Sequence, residues 1–138
     1  MKKNNTTAKI LLLVAGFGFI SVALQAFYNP QLVMDFVQTP LTNVSARNSI
    51  RANYGGMNMA LGLYMMYAAF KKQGIGLLLL ALFTGGFFIG RMAGFMLEGA
   101  ANNFVHSWAI MEGLLCVSST WLLRRRQDYL VQSAAFAR

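Results

Sequence analysis

The chain has 138 residues, of which 57% are hydrophobic and 12% charged, and its formal net charge is +8 at pH 7. Soluble domains rarely combine so many apolar residues with so few charges, so the composition argues against a water-soluble domain. The basic residues flank the apolar runs, which argues against a nucleic-acid partner. With one cysteine, the chain has no internal disulfide framework and no thiol-based metal site.

The first apolar run covers residues 10–27, "ILLLVAGFGFISVALQAF", and follows three lysines. Its length is close to the roughly 20 residues that a membrane-spanning helix needs. The "SVA" at 21–23 resembles the cleavage site of a signal peptide, but the run is longer than a usual signal core. We therefore expect a helix that the protein retains.

A long connection follows the first run. Asn29 is a good N-cap, and Pro30 suits the first position of a helix because its missing N–H needs no partner there. Apolar residues then recur at helical spacing as far as Val37, and Pro40 ends the segment. This pattern predicts a short interfacial helix lying on the membrane between helices one and two.

Three further apolar runs cover residues 46–70, 75–97 and 104–123, the first of them with Ser45 as the expected N-cap. The connections between them are short, so consecutive helices should be antiparallel neighbours. A basic tail covers 124–138, which we expect to lie along an anionic membrane surface or to be solvated. The sequence thus predicts a single transmembrane domain over 1–138, an all-α integral membrane four-helix bundle.

The distribution of lysine and arginine predicts the orientation of this bundle. Nine such residues lie on one side, against two on the other and one inside helix three. Because cytoplasmic segments carry the excess of positive charge, both termini should be cytoplasmic in a bacterial inner membrane. The nine residues are Lys2, Lys3, Lys9, Lys71, Lys72, Arg124, Arg125, Arg126 and Arg138.

Each predicted helix carries polar residues at spacings of three, four or seven, which place them on one face. Most lie in the half of the helix away from the basic ends, so the sequence predicts an outward-facing polar cluster. Its members are Gln25, Arg51, Tyr54, Asn58, Arg91, Glu98 and Glu112.

Arg91 and Glu112 lie at matching depths in this cluster. At about 1.5 Å per residue, Arg91 is about 9 Å and Glu112 about 12 Å from the outer ends of their helices. An isolated charge at this depth is costly, and an opposite charge relieves much of the cost. We therefore predict an Arg91–Glu112 ion pair, with Arg51 and Glu98 as the second arginine and the second acid of the cluster.

Small residues recur at four-residue spacing near these charges and predict close packing of helices two and three. The glycines expected at this contact are Gly55, Gly56, Gly86, Gly90 and Gly94.

Three stretches carry a resemblance to a known family: "RANYGGMNMALGLY" at 51–64, "GRMAGFMLEG" at 90–99 and "MEG" at 111–113. With them, the chain resembles the bacterial family catalogued as domain of unknown function 4345, from "YNP" at 28–30 through helix four. The resemblance implies a small four-helix membrane protein similar to the DoxX-like group. It implies no activity, substrate or catalytic residue.

Three classes of function fit the polar cluster. It could form a pocket in which the arginines bind a small polar or amphipathic ligand. It could instead fix the helix register of an accessory or scaffolding subunit in a homo-oligomer or larger membrane complex. A membrane-embedded enzyme is the third hypothesis. Arginine neighbours favour an ionised Glu112, which is better suited to anchoring than to acid catalysis. His106 is the only histidine, so we expect no metal and no cofactor.

Overall fold

The computed structural model describes the backbone of residues 5–135 and the side chains of residues 5–125. Within this part the chain is all-α and contains no strand, as the sequence predicted. The helices are α1 (Thr6–Tyr28), α2 (Pro30–Asp35), α3 (Val44–Ile50), a π-helical segment (Arg51–Met57), α4 (Asn58–Lys71), α5 (Gln73–Glu98) and α6 (Asn103–Ala135).

Two of the described helices are long and apolar enough to cross a membrane. They are α1, with 23 residues and a hydropathy of 2.3 in its most apolar window, and α5, with 26 residues and a hydropathy of 1.8. Both exceed the length of about 20 residues that a bilayer requires.

The short helix after α1 forms where the sequence predicted it. The Asn29 side chain accepts a hydrogen bond from the Gln31 N–H, and Pro30 occupies the first turn. The helix ends at Asp35, five residues before Pro40, and Gln38 takes a left-handed φ of 56°. The chain therefore turns before the proline that was expected to stop the helix.

The N-cap of α3 differs from the prediction. Asn43 Oδ1 accepts from the Ala46 N–H at 2.8 Å, whereas Ser45 lies inside the helix. Asn is among the strongest N-cap residues, and it reaches the free N–H groups two residues earlier than Ser45 would.

The predicted second helix, residues 46–70, is not one uniform α-helix. Its first part is α3, its last part is α4, and seven residues from Arg51 to Met57 between them are π-helical. This segment holds two adjacent glycines, of which Gly55 is buried against Phe27. Such π segments are rare and recur at functional sites.

The long helices pack mainly as two antiparallel pairs, α1 with α4 and α5 with α6. The pairs meet at the end of the fold that carries Lys9, Lys71 and Arg125, which we call the basic end. There Asn5 and the buried Gln73 bond to each other, with the Asn5 N–H donating to Gln73 Oε1 at 3.1 Å. The largest core lies near this end and contains Ala8, Leu12, Ala15, Met65, Ala68, Ala69, Leu77, Leu80 and Leu122.

A second, smaller core lies at the opposite end, where α2 folds back on α1. Ala26, Val33 and Met34 are buried there, with Ile50 and Tyr54 packed against them. Two hydrophobic cores therefore lie at the two ends of the fold.

The last helix is longer than predicted. It begins at Asn103 and continues to Ala135, so the predicted tail is helical as far as the backbone is described. The remaining tail residues lie outside the described part.

Candidate functional site

The antiparallel contact of α5 and α6 positions the central ion pair. A short turn joins the two helices, in which Gly99 ends α5 with a φ of 93°. Positive φ is readily adopted only by glycine, which makes this residue a suitable helix stop. Asn102 then starts α6, because its Oδ1 accepts from the Val105 N–H at 2.9 Å.

Ring and glycine contacts fix the register of this helix pair. The rings of Phe95 and His106 stack with their centroids 4.7 Å apart, one turn from the ion pair. On the other side of the pair, the Phe88 ring lies over Gly113, where a Cβ would be 3.2 Å from it. Arg91 lies between these contacts and is opposite Glu112.

Arg91 and Glu112 form a bidentate ion pair. Arg91 Nε donates to Glu112 Oε2 at 2.8 Å, and Arg91 Nη2 donates to Glu112 Oε1 at 3.0 Å. The fork of the guanidinium matches the two oxygens of the carboxylate, which makes this geometry stronger and more directional than a lysine contact. The structure thus brings together the two residues whose depths matched in the sequence.

The two partners differ in burial. The Glu112 side chain is 7% exposed, whereas the Arg91 side chain is 26% exposed. A guanidinium has five N–H donors, and two of those on Arg91 go to Glu112. The carboxylate is therefore enclosed, while the arginine retains donors and an accessible face.

Two buried hydroxyl side chains on these helices, each seven residues from a partner of the ion pair, bond to their own backbone. The Thr84 hydroxyl donates to the Leu80 carbonyl at 2.7 Å, and the Ser119 hydroxyl donates to the Leu115 carbonyl at 2.6 Å. Both residues are buried. Each hydroxyl donates its hydrogen bond within its own helix, and neither bonds to Arg91 or Glu112.

Two amides of the predicted cluster behave in the same way. Gln25 Nε2 donates to the Ser21 carbonyl at 3.2 Å, and Asn58 Nδ2 donates to the Tyr54 carbonyl at 2.9 Å. Tyr54 itself packs against the small core at the end opposite the basic end. The structure gives none of these side chains a hydrogen bond to Arg91 or Glu112.

Arg51 and Glu98 do not join the ion pair. Arg51 is half-buried in the π segment and Glu98 is exposed at the end of α5. Within residues 5–125, neither forms an ion pair or a side-chain hydrogen bond. The predicted set of two arginines and two acids is therefore reduced to one assembled pair.

The predicted glycine contact between the second and third long helices is absent within the described residues. A Cβ on Gly56, Gly86, Gly90 or Gly94 would meet no atom within 4 Å. Gly55 does make a close approach, but to Phe27 on α1. The spacing of the glycines predicts that they share one face of a helix. It does not predict which neighbouring helix contacts that face.

The segment after α2 contacts the start of α6, a connection that was not predicted from the sequence. Asn102 Nδ2 donates to the Phe36 carbonyl at 3.0 Å, and the Phe36 ring stacks on Phe104 at 4.6 Å. A separate contact joins α3 to the start of α2, where Arg47 Nη2 donates to Asn29 Oδ1 at 3.0 Å. Phe104 at the start of α6 was the available signal, but aromatic residues near the ends of membrane helices are also typical of the membrane interface.

No group of three or more His, Cys, Asp or Glu side chains lies together among the described residues. His106 stacks on Phe95, with its Nδ1 3.1 Å from the Asn102 carbonyl oxygen. The site therefore consists of one arginine, one carboxylate and the helix faces beside them.

Comparison with known proteins gives a family and no activity. No curated protein and no solved structure matches the chain. The family described as domain of unknown function DUF4345 matches residues 7–123, which cover α1 to α5, most of α6 and both partners of the ion pair. The chain belongs to the DUF4345 family of domains of unknown function.

Proposed function

We propose that the protein is an integral four-helix bundle of a bacterial inner membrane, with both termini in the cytoplasm. The spans would be α1, the helix formed by α3, the π segment and α4, then α5 and the first part of α6. The apolar lengths of α1 and α5 support this arrangement. So does the basic end, because cytoplasmic ends of membrane helices carry the excess of lysine and arginine.

Within this bundle, we propose that Arg91 anchors a small anionic or amphipathic ligand that enters from the outer side. The observation that carries the proposal is the unequal burial of the ion pair. Glu112 is 7% exposed and holds the guanidinium through both of its oxygens, whereas Arg91 keeps 26% of its side chain exposed. An arginine oriented in this way presents its remaining donors in a fixed direction, which suits recognition of a carboxylate or phosphate.

Native mass spectrometry of the gently extracted protein tests this function, because it reports retained small molecules and stoichiometry together. We compare wild type with Glu112→Gln, which removes the charge that orients Arg91. Glu98→Gln is the matched control, since it removes the same charge from an exposed carboxylate on α5. Binding predicts a retained mass in wild type and Glu98→Gln, and its loss in Glu112→Gln with folded yield preserved.

A scaffolding role is the second candidate, and the enclosure of Glu112 favours it. A buried bidentate pair can fix the register of two helices without any ligand. In that case Glu112→Gln lowers the folded yield, and no small molecule is retained by any variant. Copurification of a larger partner at a fixed ratio would assign the accessory role.

A further inference from the structure

A groove lies between α1 and α6 near the basic end, on the C-terminal side of Glu112 along α6. It has a volume of about 360 Å³ and is lined by Thr7, Leu11, Val117, Ser118, Trp121 and Leu122. Its walls are mainly apolar, with hydroxyl groups from one residue of each helix. The shape and chemistry of this groove suit a hydrocarbon chain better than a polar solute.

The positively charged side chain of Arg125 lies beside the groove, over the ring of Trp121. The Arg125 guanidinium carbon lies 4.0 Å from the centroid of the Trp121 ring, and Trp121 is 50% exposed. Arginine over the face of tryptophan is a favourable cation–π arrangement. The contact holds the positive charge beside the apolar groove.

Among residues 5–125, the charged side chains at the groove end of the fold are all positive. Among residues 5–125, the acidic residues are Asp35, Glu98 and Glu112, in α2, the outer end of α5 and the first half of α6. The basic residues at the groove end of the fold are Lys9, Lys71, Lys72, Arg124 and Arg125. An apolar groove with positive charge at one end complements an amphipathic anion.

We infer that this groove binds one acyl chain of an anionic phospholipid of the cytoplasmic leaflet, with Arg125 at its headgroup. The inference rests on the membrane placement proposed above and not on the ligand proposed for Arg91. Along α6, Val117 and Arg125 are separated by about 12 Å, at about 1.5 Å per residue. That distance accommodates a headgroup and the first methylenes of the chain.

Quenching of Trp121 fluorescence by brominated lipids tests the inference. The full chain carrying Trp108→Phe, which leaves Trp121 as the only tryptophan, is reconstituted in vesicles. Brominated phosphatidylglycerol is compared with brominated phosphatidylcholine at equal mole fraction. A basic residue near an anionic surface enriches anionic lipid by about fivefold, so phosphatidylglycerol should quench more strongly.

Arg125→Gln and Arg124→Gln provide matched variants in the Trp108→Phe background. Each removes one positive charge from the same end of α6, but the cation over Trp121 is Arg125. We expect Arg125→Gln to reduce the preference for phosphatidylglycerol by about fivefold and Arg124→Gln to retain most of it.

Equal quenching by both lipids in the parent protein, or equal effects of the two variants, overturns the inference while leaving the membrane placement intact. Absence of quenching by either lipid overturns both. Neither result bears on ligand retention at Arg91, which is measured separately by mass.

Discussion

Gly16 on α1 and Gly62 on α4 lie backbone to backbone. A Cβ on Gly16 would be 3.0 Å from the Gly62 carbonyl oxygen, and a Cβ on Gly62 would be 2.9 Å from the Gly16 carbonyl oxygen. Because neither residue has a Cβ, the two backbones can approach each other this closely. The contact lies within the α1–α4 pair and allows these two helices to pack closely.

Gly62→Ala should destabilise the fold, because the new methyl would also lie 2.7 Å from the Ile20 side chain. Overpacking of a tight contact costs about 1–3 kcal/mol in the free energy of unfolding. Gly18→Ala is the control, since its Cβ would meet nothing within 4 Å and helix propensity favours alanine. Unfolding in detergent followed by circular dichroism measures both. Equal stability of the two variants would contradict the described contact.

Arg91→Met should lower the free energy of unfolding by about 3–5 kcal/mol, because it leaves Glu112 buried without its countercharge. The double variant Arg91→Met/Glu112→Leu should recover most of that loss, since an apolar pair needs no compensation. A double-mutant cycle in the same unfolding assay gives the coupling energy. Additive effects of the two single substitutions would show that the side chains do not act as a pair.

The adjacent glycines of the π segment should respond differently to alanine. A Cβ on Gly55 would lie 2.8 Å from the Phe27 ring, whereas a Cβ on Gly56 would meet nothing within 4 Å. We expect Gly55→Ala to lower the unfolding free energy by about 1–3 kcal/mol and Gly56→Ala to leave it unchanged or raise it. Thermal unfolding compares them. The reverse order would argue against a close approach of α1 at this position.

The proposed orientation predicts which cysteines react from outside the cell. In a Cys116→Ser background, Thr42→Cys, in the exposed segment between α2 and α3, should react with a membrane-impermeant maleimide in intact spheroplasts. Lys72→Cys, between α4 and α5, should react only after the membrane is permeabilised. The opposite pattern would reverse the orientation, and labelling of both in intact cells would contradict a membrane-spanning arrangement.

The ion pair could be predicted from the sequence because short connections constrain antiparallel helices. Few residues separate the end of α5 from the start of α6, so counting from the turn sets the relative heights of Arg91 and Glu112. The matching heights identify Glu112 as the partner of Arg91. The two residues are expected to pair because an isolated charge inside a membrane is costly.

The helix neighbours could not be predicted in the same way. Gly86, Gly90 and Gly94 share a face by spacing, but spacing does not say which helix covers that face. Within the described part of the chain, a Cβ on any of the three would meet no atom within 4 Å. The close approach at Gly62 depends on α1, which is distant in sequence. The π segment was not predicted either, because a short widened stretch leaves the local apolar pattern of a helix almost unchanged.

The continuity of α6 has a mechanical consequence. The helix runs from Asn103 to Ala135 without interruption, so Glu112 and Trp121 lie on one continuous helix. Its 33 residues extend for about 50 Å, well beyond a hydrocarbon layer of about 30 Å. A rigid-body tilt of α6 at the level of Glu112 would therefore move Trp121 and the C-terminal part of the helix with it. If a ligand bound at Arg91 changes the lipid affinity of the groove at Trp121, bound lipid must change the affinity for that ligand by the same factor.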